Sequence, residues 1–258
     1  MHAVFLKDLV TENIRVGDVL DLTDHQFHHL KNVVRLEKHE HVLGLNGKGL
    51  ELVLQYECLD SHDSQNKKSL RLVIKKCTIH PHTKGPRMAI GVLKKDGMEE
   101  VLKLAVEMGL EKITFLNTKY SQRGLSFSKF NDRYFRIMEG ALLQSNNLFF
   151  PTIEGPIDFD EFLQTLDPTC ALFCYGLRES RTTNMDNTIL PDKDSNFCNI
   201  VTVIGPEGGL SLEEEEMALA RPNSLCFNLP MPILRTPHAM SVARGHLIGL
   251  YSSLKIIG

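Results

Sequence analysis

At 258 residues the chain is long for one compact core and short for three, so one large domain or two smaller ones are expected. A hydrophobic content of 42% beside 24% charged residues excludes a disordered or fibrous chain, and no apolar run reaches the roughly 18 residues of a membrane-spanning helix. The net charge of −3 and pI near 6.4 argue, as averages, against a nucleic-acid partner.

Residues 1–18 carry Asp8 and Glu12 where a secretory signal has its apolar stretch, so a soluble, cytoplasmic protein is expected. Short apolar runs at 4–6, 19–22, 41–45, 51–56 and 70–79 read as strands, punctuated by Gly17-Asp18, Asn46-Gly47 and Gly49. Asn46-Gly47 between two such runs is a hairpin signal. One helix interrupts them at 24–34, with Thr23 or Asp24 as its N-cap. The breaker-rich segment His80-Pro81-His82-Thr83-Lys84-Gly85-Pro86 reads as a linker, giving a small, mostly β domain over 1–80 and a second domain over 81–258.

Beyond the linker the pattern changes to alternating strands and helices. A strand at 88–93 is followed by Asp96 and Glu99, an acid-capped helix start. Met98, Val101, Leu102, Ala105 and Met108 recur at helical spacing before Gly109 ends the helix. A strand at 112–116 completes a βαβ unit. A helix at 128–145, strands at 171–175 and 200–204, a helix at 211–220, a strand at 225–229 and a final helix from about Pro237 follow. The fold class is α/β.

Six cysteines, Cys58, Cys77, Cys170, Cys174, Cys198 and Cys226, are scattered, and the only close pair, Cys170 and Cys174, lies in what reads as a strand, so they read as buried reduced thiols and no metal is expected. Charge is distributed less evenly. From Ser64 to Lys95 there is no acid, yet Lys67, Lys68, Arg71, Lys75, Lys76, Lys84, Arg87, Lys94 and Lys95 fall there. Two readings stand: a phosphate-binding face, or a solvated strand-and-linker surface.

Two loops carry the candidate chemistry. The first is the turn Gly205-Pro206-Glu207-Gly208-Gly209, which follows the apolar strand ending at Ile204 and precedes a helix opened by Ser211 and Glu214 as a capping box. In open α/β sheets ligands bind beyond the carboxyl ends of strands, and glycines such as Gly208 let backbone approach a ligand. The turn lacks the Gly-Lys-Ser/Thr of a P-loop and the Gly-x-Gly-x-x-Gly of a dinucleotide fold, and by itself it also reads as an ordinary turn. In the second loop Leu229, Pro230, Met231, Pro232, Ile233 and Leu234 lead into Arg235-Thr236, with Pro237 suited to a helix's first turn. Its apolar residues could wall a flat pocket or simply belong to the core, whereas an arginine among them usually has a partner.

These residues resemble a family. Ile204-Gly-Pro-Glu-Gly-Gly209 before a capping-box helix, then Ile233-Leu-Arg-Thr236, is similar to the SPOUT-class RNA methyltransferases, and more narrowly to the RsmE family of 16S ribosomal RNA uridine-N3 methyltransferases. His29-Leu-Lys-Asn-Val-Val-Arg35, the segment from Lys95 to Gly109, Ser121-Gln-Arg-Gly124 and Gln144-Ser145 resemble its other motifs, in order from about residue 28 to the end. Pro230, Pro232, Pro237 and His238 stand where the family usually has Gly, Arg, Glu and Thr. Asn147 and Leu104 stand where Arg and Lys are common.

The resemblance implies a PUA-like β-barrel domain for RNA, then a SPOUT-type parallel sheet with a deep trefoil knot. It implies S-adenosyl-L-methionine as methyl donor, a homodimer with the site at its interface, and a uridine of small-subunit ribosomal RNA as target. Ile204, Gly205, Pro206, Glu207, Gly208, Gly209, Leu229, Pro230, Met231, Ile233, Leu234 and Thr236 would then hold the donor. Lys31, Arg35, Lys67, Lys68, Arg71, Lys75 and Lys76 would hold RNA.

N3 of uridine carries a weakly acidic proton whose loss spreads charge onto O2 and O4, so a nearby cation stabilises the anion. Arg235, expected to be partly enclosed near the donor loop, is the first candidate catalytic residue and Arg123 the second. Glu207 either orients donor or substrate or sits favourably before a helix N-terminus. The alternative from another class is a non-catalytic RNA-binding ribosome-assembly factor that kept the fold.

Overall fold

The computed structural model describes residues 2–7, 9, 14–20, 22, 26, 28–60, 69–124, 132–176, 199–227 and 231–256. The chain divides into two units, Met1–His82 with Glu139–Phe150 and Thr83–Met138 with Pro151–Gly258.

In the first unit, β1 (His2–Phe5), β2 (Val19–Leu20), β3 (His41–Leu45), β4 (Leu50–Asp60) and β5 (Ser69–Ile79) form one sheet in the order β1-β3-β4-β5-β2. The β1–β3 pair is parallel and the others antiparallel. Along β4, Leu50, Leu52 and Leu54 are fully buried and alternate with half-buried neighbours, the period of a sheet with one face on a core. The Asn46-Gly47 signal marks the β3–β4 turn. Asn46 Oδ1 accepts from the N–H groups of Lys48 (2.8 Å) and Leu50 (3.1 Å), and Gly47 and Gly49 take positive φ. Within the helix expected over 24–34, Gln26 and His28 are helical and a π-helical turn follows, His29–Val33, whose Leu30 is buried in this core. Thr23 and Asp24 lie outside the described residues.

The sequence gives no sign that a later segment returns to this unit. Phe150 N–H donates to the Gly47 carbonyl and Gly49 N–H to that of Leu148, both at 2.9 Å. A Cβ on Gly47 would lie 2.3 Å from the Phe150 ring, and one on Gly49 2.7 Å from that of Phe149.

The second unit is built on six strands, β6 (Arg87–Gly91), β7 (Lys112–Asn117), β8 (Thr152–Asp158), β9 (Ala171–Tyr175), β10 (Ile200–Ile204) and β11 (Ser224–Phe227). Their order is β11-β9-β10-β6-β7-β8, with every pair parallel. β9 and β10 are buried along their whole length, which is why they read as unbroken apolar runs. The helices are α1 (Lys95–Glu107), α2 (Asp132–Ser145), whose residues from Glu139 onward belong to the first unit, α3 (Phe159–Thr165), α4 (Leu212–Leu219) and α5 (Thr236–Ile256). On one face Phe159, Phe162 and Ala218 pack against Ala89, Leu172, Cys174 and Val203. Alternate strand residues point to the other face, where α5 packs on β10 and α1. After β6 the chain turns toward β7, and after β10 toward β11, so the topological switch point lies between β6 and β10.

The expected acid cap of α1 is absent. Its N-cap is Lys94, which makes no side-chain cap bond; Asp96 lies within the first turn, and Glu99 instead receives Arg133 through two bonds of 2.6 and 2.8 Å. The helix ends as expected at Gly109 (φ 62°), where Gly109 N–H bonds the Val106 carbonyl and Leu110 N–H that of Ala105. Neither β8 nor α3 was expected. β8 carries Gly155-Pro156 at its middle, tolerated because it is an edge strand, and α3 spans seven residues, too few for a helical period to register.

Gly155 has φ +96°, and a Cβ there would lie 2.3 Å from the Phe115 carbonyl oxygen. Gly155→Ala should therefore destabilise the protein by about 2 kcal/mol or more, read as a lower urea midpoint in equilibrium unfolding.

Candidate functional site

The carboxyl ends of β9, β10 and β11 open on one cavity of about 580 Å³, within the usual range for small-molecule sites. Of the residues expected to hold a ligand, Ile204, Gly205, Pro206, Glu207, Gly208, Gly209, Met231, Ile233, Leu234 and Thr236 line it, together with Pro232. Leu229 and Pro230 lie outside the described residues. Tyr175, Gly176, Phe227 and Ala239 also line it and were not anticipated. The rule that ligands sit beyond strand ends, applied to β9 and β11 as well as β10, would have found the first three.

Close packing of small residues shapes the 205–209 turn. A Cβ on Gly91, the last residue of β6, would lie 2.4 Å from Pro206 Cδ, so the turn from β10 can lie over β6 only because Gly91 has no side chain. A Cβ on Gly205 would meet the Gly209 backbone at 2.7 Å. A Cβ on Gly208, which lines the cavity, would meet Tyr120 Cβ at 2.8 Å, so its smallness also serves packing against the loop after β7. Gly176 (φ +75°) and Gly209 (φ +73°) instead have open space around the Cβ position while lining the cavity.

One buried hydrogen bond joins the two loops. Thr236 Oγ1 donates to the Gly205 carbonyl at 3.0 Å, and Thr236 is 3% exposed. An aromatic group closes the β9–β11 side. The Phe227 ring stacks on Tyr175 at 5.2 Å and meets His246 edge-on at 4.8 Å, while Tyr175 Oη and His246 Nδ1 share a hydrogen bond of 2.8 Å. Burial pushes the Tyr175 phenol up and the His246 imidazole down, both toward neutrality.

The capping box at α4 is present, with Glu214 N–H donating to Ser211 Oγ (3.3 Å) and Ser211 N–H to Glu214 Oε2 (2.7 Å). Beside it runs the loop after β7. Gln122 N–H bonds the Val92 carbonyl at 3.0 Å, and Ser121 Oγ donates to the Leu116 carbonyl at 2.9 Å. Arg123 follows with its side chain exposed. Arg235 is also exposed and does not line the cavity, against the expectation that it is partly enclosed. The helix begins at Thr236, whose hydroxyl turns inward to Gly205, and the residue before it faces out.

In the first unit, Arg35, Arg71 and Lys76 are exposed. Lys31 is half-buried, its Nζ 5.5 Å from the Tyr56 ring centroid. The acid-free run is acid-free only along the chain: strand pairing sets β4 beside it, and Lys75 Nζ bonds Glu57 at 2.9 Å, which holds that carboxyl below its ordinary range. Lys67 and Lys68 lie outside the described residues. Cys170, Cys174 and Cys226 are buried free thiols and Cys77 is half-buried; burial pushes Cys226 up to about 11.

A model of the RNA methyltransferase domain matches residues 84–247, well over half of the chain and all of the cavity. The chain belongs to the RNA methyltransferase family. It is 26% identical over 253 residues to the ribosomal RNA small subunit methyltransferase E of Rickettsia conorii, an alignment covering 96% of each chain. It is 27% identical over 245 residues to the protein of the same name from Synechocystis, covering 90% of this chain and 73% of that one. Its fold is similar to that of a ribosomal RNA small subunit methyltransferase E from Neisseria gonorrhoeae solved with S-adenosyl methionine bound. That TM-score is 0.72 at 24% identity, covering 97% of this chain and 98% of the other.

In this RNA methyltransferase the Thr236 bond predicts its own test. Thr236→Val keeps the shape but leaves the buried Gly205 carbonyl without its donor, a loss of about 1–3 kcal/mol. Thr236→Ser should retain most of the stability. Urea unfolding of the two variants beside the parent protein measures the difference.

Proposed function

We propose that this RNA methyltransferase transfers a methyl group from S-adenosyl-L-methionine to N3 of a uridine in small-subunit (16S) ribosomal RNA. The observation that carries the reading is the shared cavity of the 205–209 and 231–236 loops beyond the carboxyl ends of a parallel sheet. The names of the similar proteins supply the substrate class.

The residues present fit the donor. Ile204, Phe227 and Leu234 offer apolar walls for a flat base, Gly176 and Gly209 leave backbone uncovered, and Glu207 brings a carboxylate suited to a cationic molecule. Bound there, S-adenosylmethionine supplies an already activated methyl group on a sulfonium. The protein's own task is to hold the uridine, favour its N3 anion and keep the two reactants in register. Arg235 and Arg123 are permanent cations and poor bases, suited to charge spread over O2 and O4. Both are exposed on the single chain, which accords with a site completed by RNA and by a second subunit.

The first unit serves as a PUA-like RNA-binding domain and the second carries a trefoil knot, the arrangement that the family resemblance implies. The working form is a cytoplasmic homodimer. Arg35, Arg71 and Lys76 supply exposed charge for phosphates, Lys31 joins them in part through Tyr56, and Lys75 contributes less because Glu57 neutralises it.

Incubation with small subunits and labelled donor should place one methyl on a uridine, identified by mass mapping of the rRNA. A chain that binds RNA but incorporates no label would be the non-catalytic assembly factor instead. Arg235→Ala should lower the single-turnover rate by about 10²–10³-fold with donor affinity little changed, and lysine should restore only part of it.

A further inference from the structure

A capping box needs one oxygen of its carboxylate, and Glu214 uses two. Oε2 accepts the Ser211 N–H at 2.7 Å, closing the box, while Oε1 accepts the Lys119 N–H at 2.7 Å. Lys119 lies 95 residues earlier in the chain, in the loop after β7. Glu214 is only 8% exposed, so both bonds are formed largely away from water. The same loop touches the 205–209 turn where Tyr120 fills the space beside Gly208. Its other anchors, Ser121 to Leu116 and Gln122 to Val92, fasten it to the sheet. Two side chains of the helix that the cavity turn leads into hold this loop. Glu213 takes Lys119 Nζ at 3.2 Å in an exposed pair, whereas Glu214 holds the backbone in a buried setting. Arg123 follows four residues after Lys119.

We propose that Glu214 is a positioning residue, which sets the Arg123 loop against the cavity turn so that the guanidinium is aimed at the RNA bound there. The proposal rests on the methyl-transfer reading above. Carboxylate chemistry is required for the role. Glutamine has one acceptor oxygen, so in Glu214→Gln the amide NH2 must face one of the two backbone N–H groups, and either the box or the loop anchor is lost. Glu214→Asp keeps the charge and a cap for the helix but is one methylene too short to hold both N–H groups. Ser211→Ala removes the cap hydroxyl, with its bond to the exposed Glu213, and leaves both bonds accepted by Glu214 in place.

Single-turnover methylation of small subunits at saturating donor, with calorimetry for donor affinity, tests this. Glu214→Gln and Glu214→Asp should lower the rate by about 10- to 100-fold, the size expected from a catalytic group displaced by an ångström. Donor affinity should stay within about 2-fold, and Ser211→Ala should keep the parent rate. In an Arg123→Ala background the Glu214 substitutions should have no further effect, because their target is gone. Additive losses in the double variant, a matching loss in Ser211→Ala, or weakened donor binding would overturn the proposal, since each describes a helix cap or a cavity wall. An inactive parent protein would sink the methyl-transfer reading and this proposal with it. An active parent with unaltered Glu214 variants would sink this proposal alone.

Discussion

The hydroxyl of Thr236 donates to the carbonyl of Gly205 in a setting almost closed to water, and the cavity is organised around that bond. Gly205 begins the turn after the central strand β10; Thr236 begins the helix reached from the edge strand β11. Joining them lets loops from two strands that flank β9 form one lining. A buried carbonyl left without a donor costs more than a typical hydrogen bond gains, which makes this contact restrictive as well as stabilising.

Room for this arrangement comes from missing side chains. Gly91 lets Pro206 lie on the end of β6, and Gly208 lets Tyr120 lie against the turn. Thus the turn from β10 touches both β6 and the loop after β7, on the side of the switch point opposite β9 and β11. Its other side is open, where Tyr175 and Phe227, with His246 packed behind them, form an aromatic wall in which burial disfavours the charged forms of Tyr175 and His246. On the proposed reading a cationic donor would meet apolar surface, uncovered backbone and the carboxylate of Glu207.

Much of this was legible in the sequence. The parallel sheet followed from the strand–helix–strand alternation that begins at 88–116, and the start of α4 from Ser211 and Glu214. The two loops stood out because proline and glycine cluster where strands end. What was not legible had physical causes. Gly155-Pro156 hides an edge strand that needs no full hydrogen-bond ladder. Tyr175 and Phe227 look like core residues because an aromatic at a strand end has the same pattern whether it faces a helix or a cavity. Arg235 reads as enclosed from its apolar neighbours, whereas the helix start turns it outward. The basic run loses part of its charge to Glu57, a neighbour across the sheet that no linear count includes. The second bond of Glu214 spans 95 residues and has no sequence signature at all.

The central claim is that two clasped loops form a single donor site. Hydrogen–deuterium exchange with and without S-adenosylmethionine tests it most directly, because it reads each loop separately and needs no RNA. The account predicts that donor slows exchange in peptides covering 204–211 and 231–240 together, at the same half-saturating concentration, and leaves β3–β5 unchanged. Protection confined to one loop, or absent from both, would contradict it.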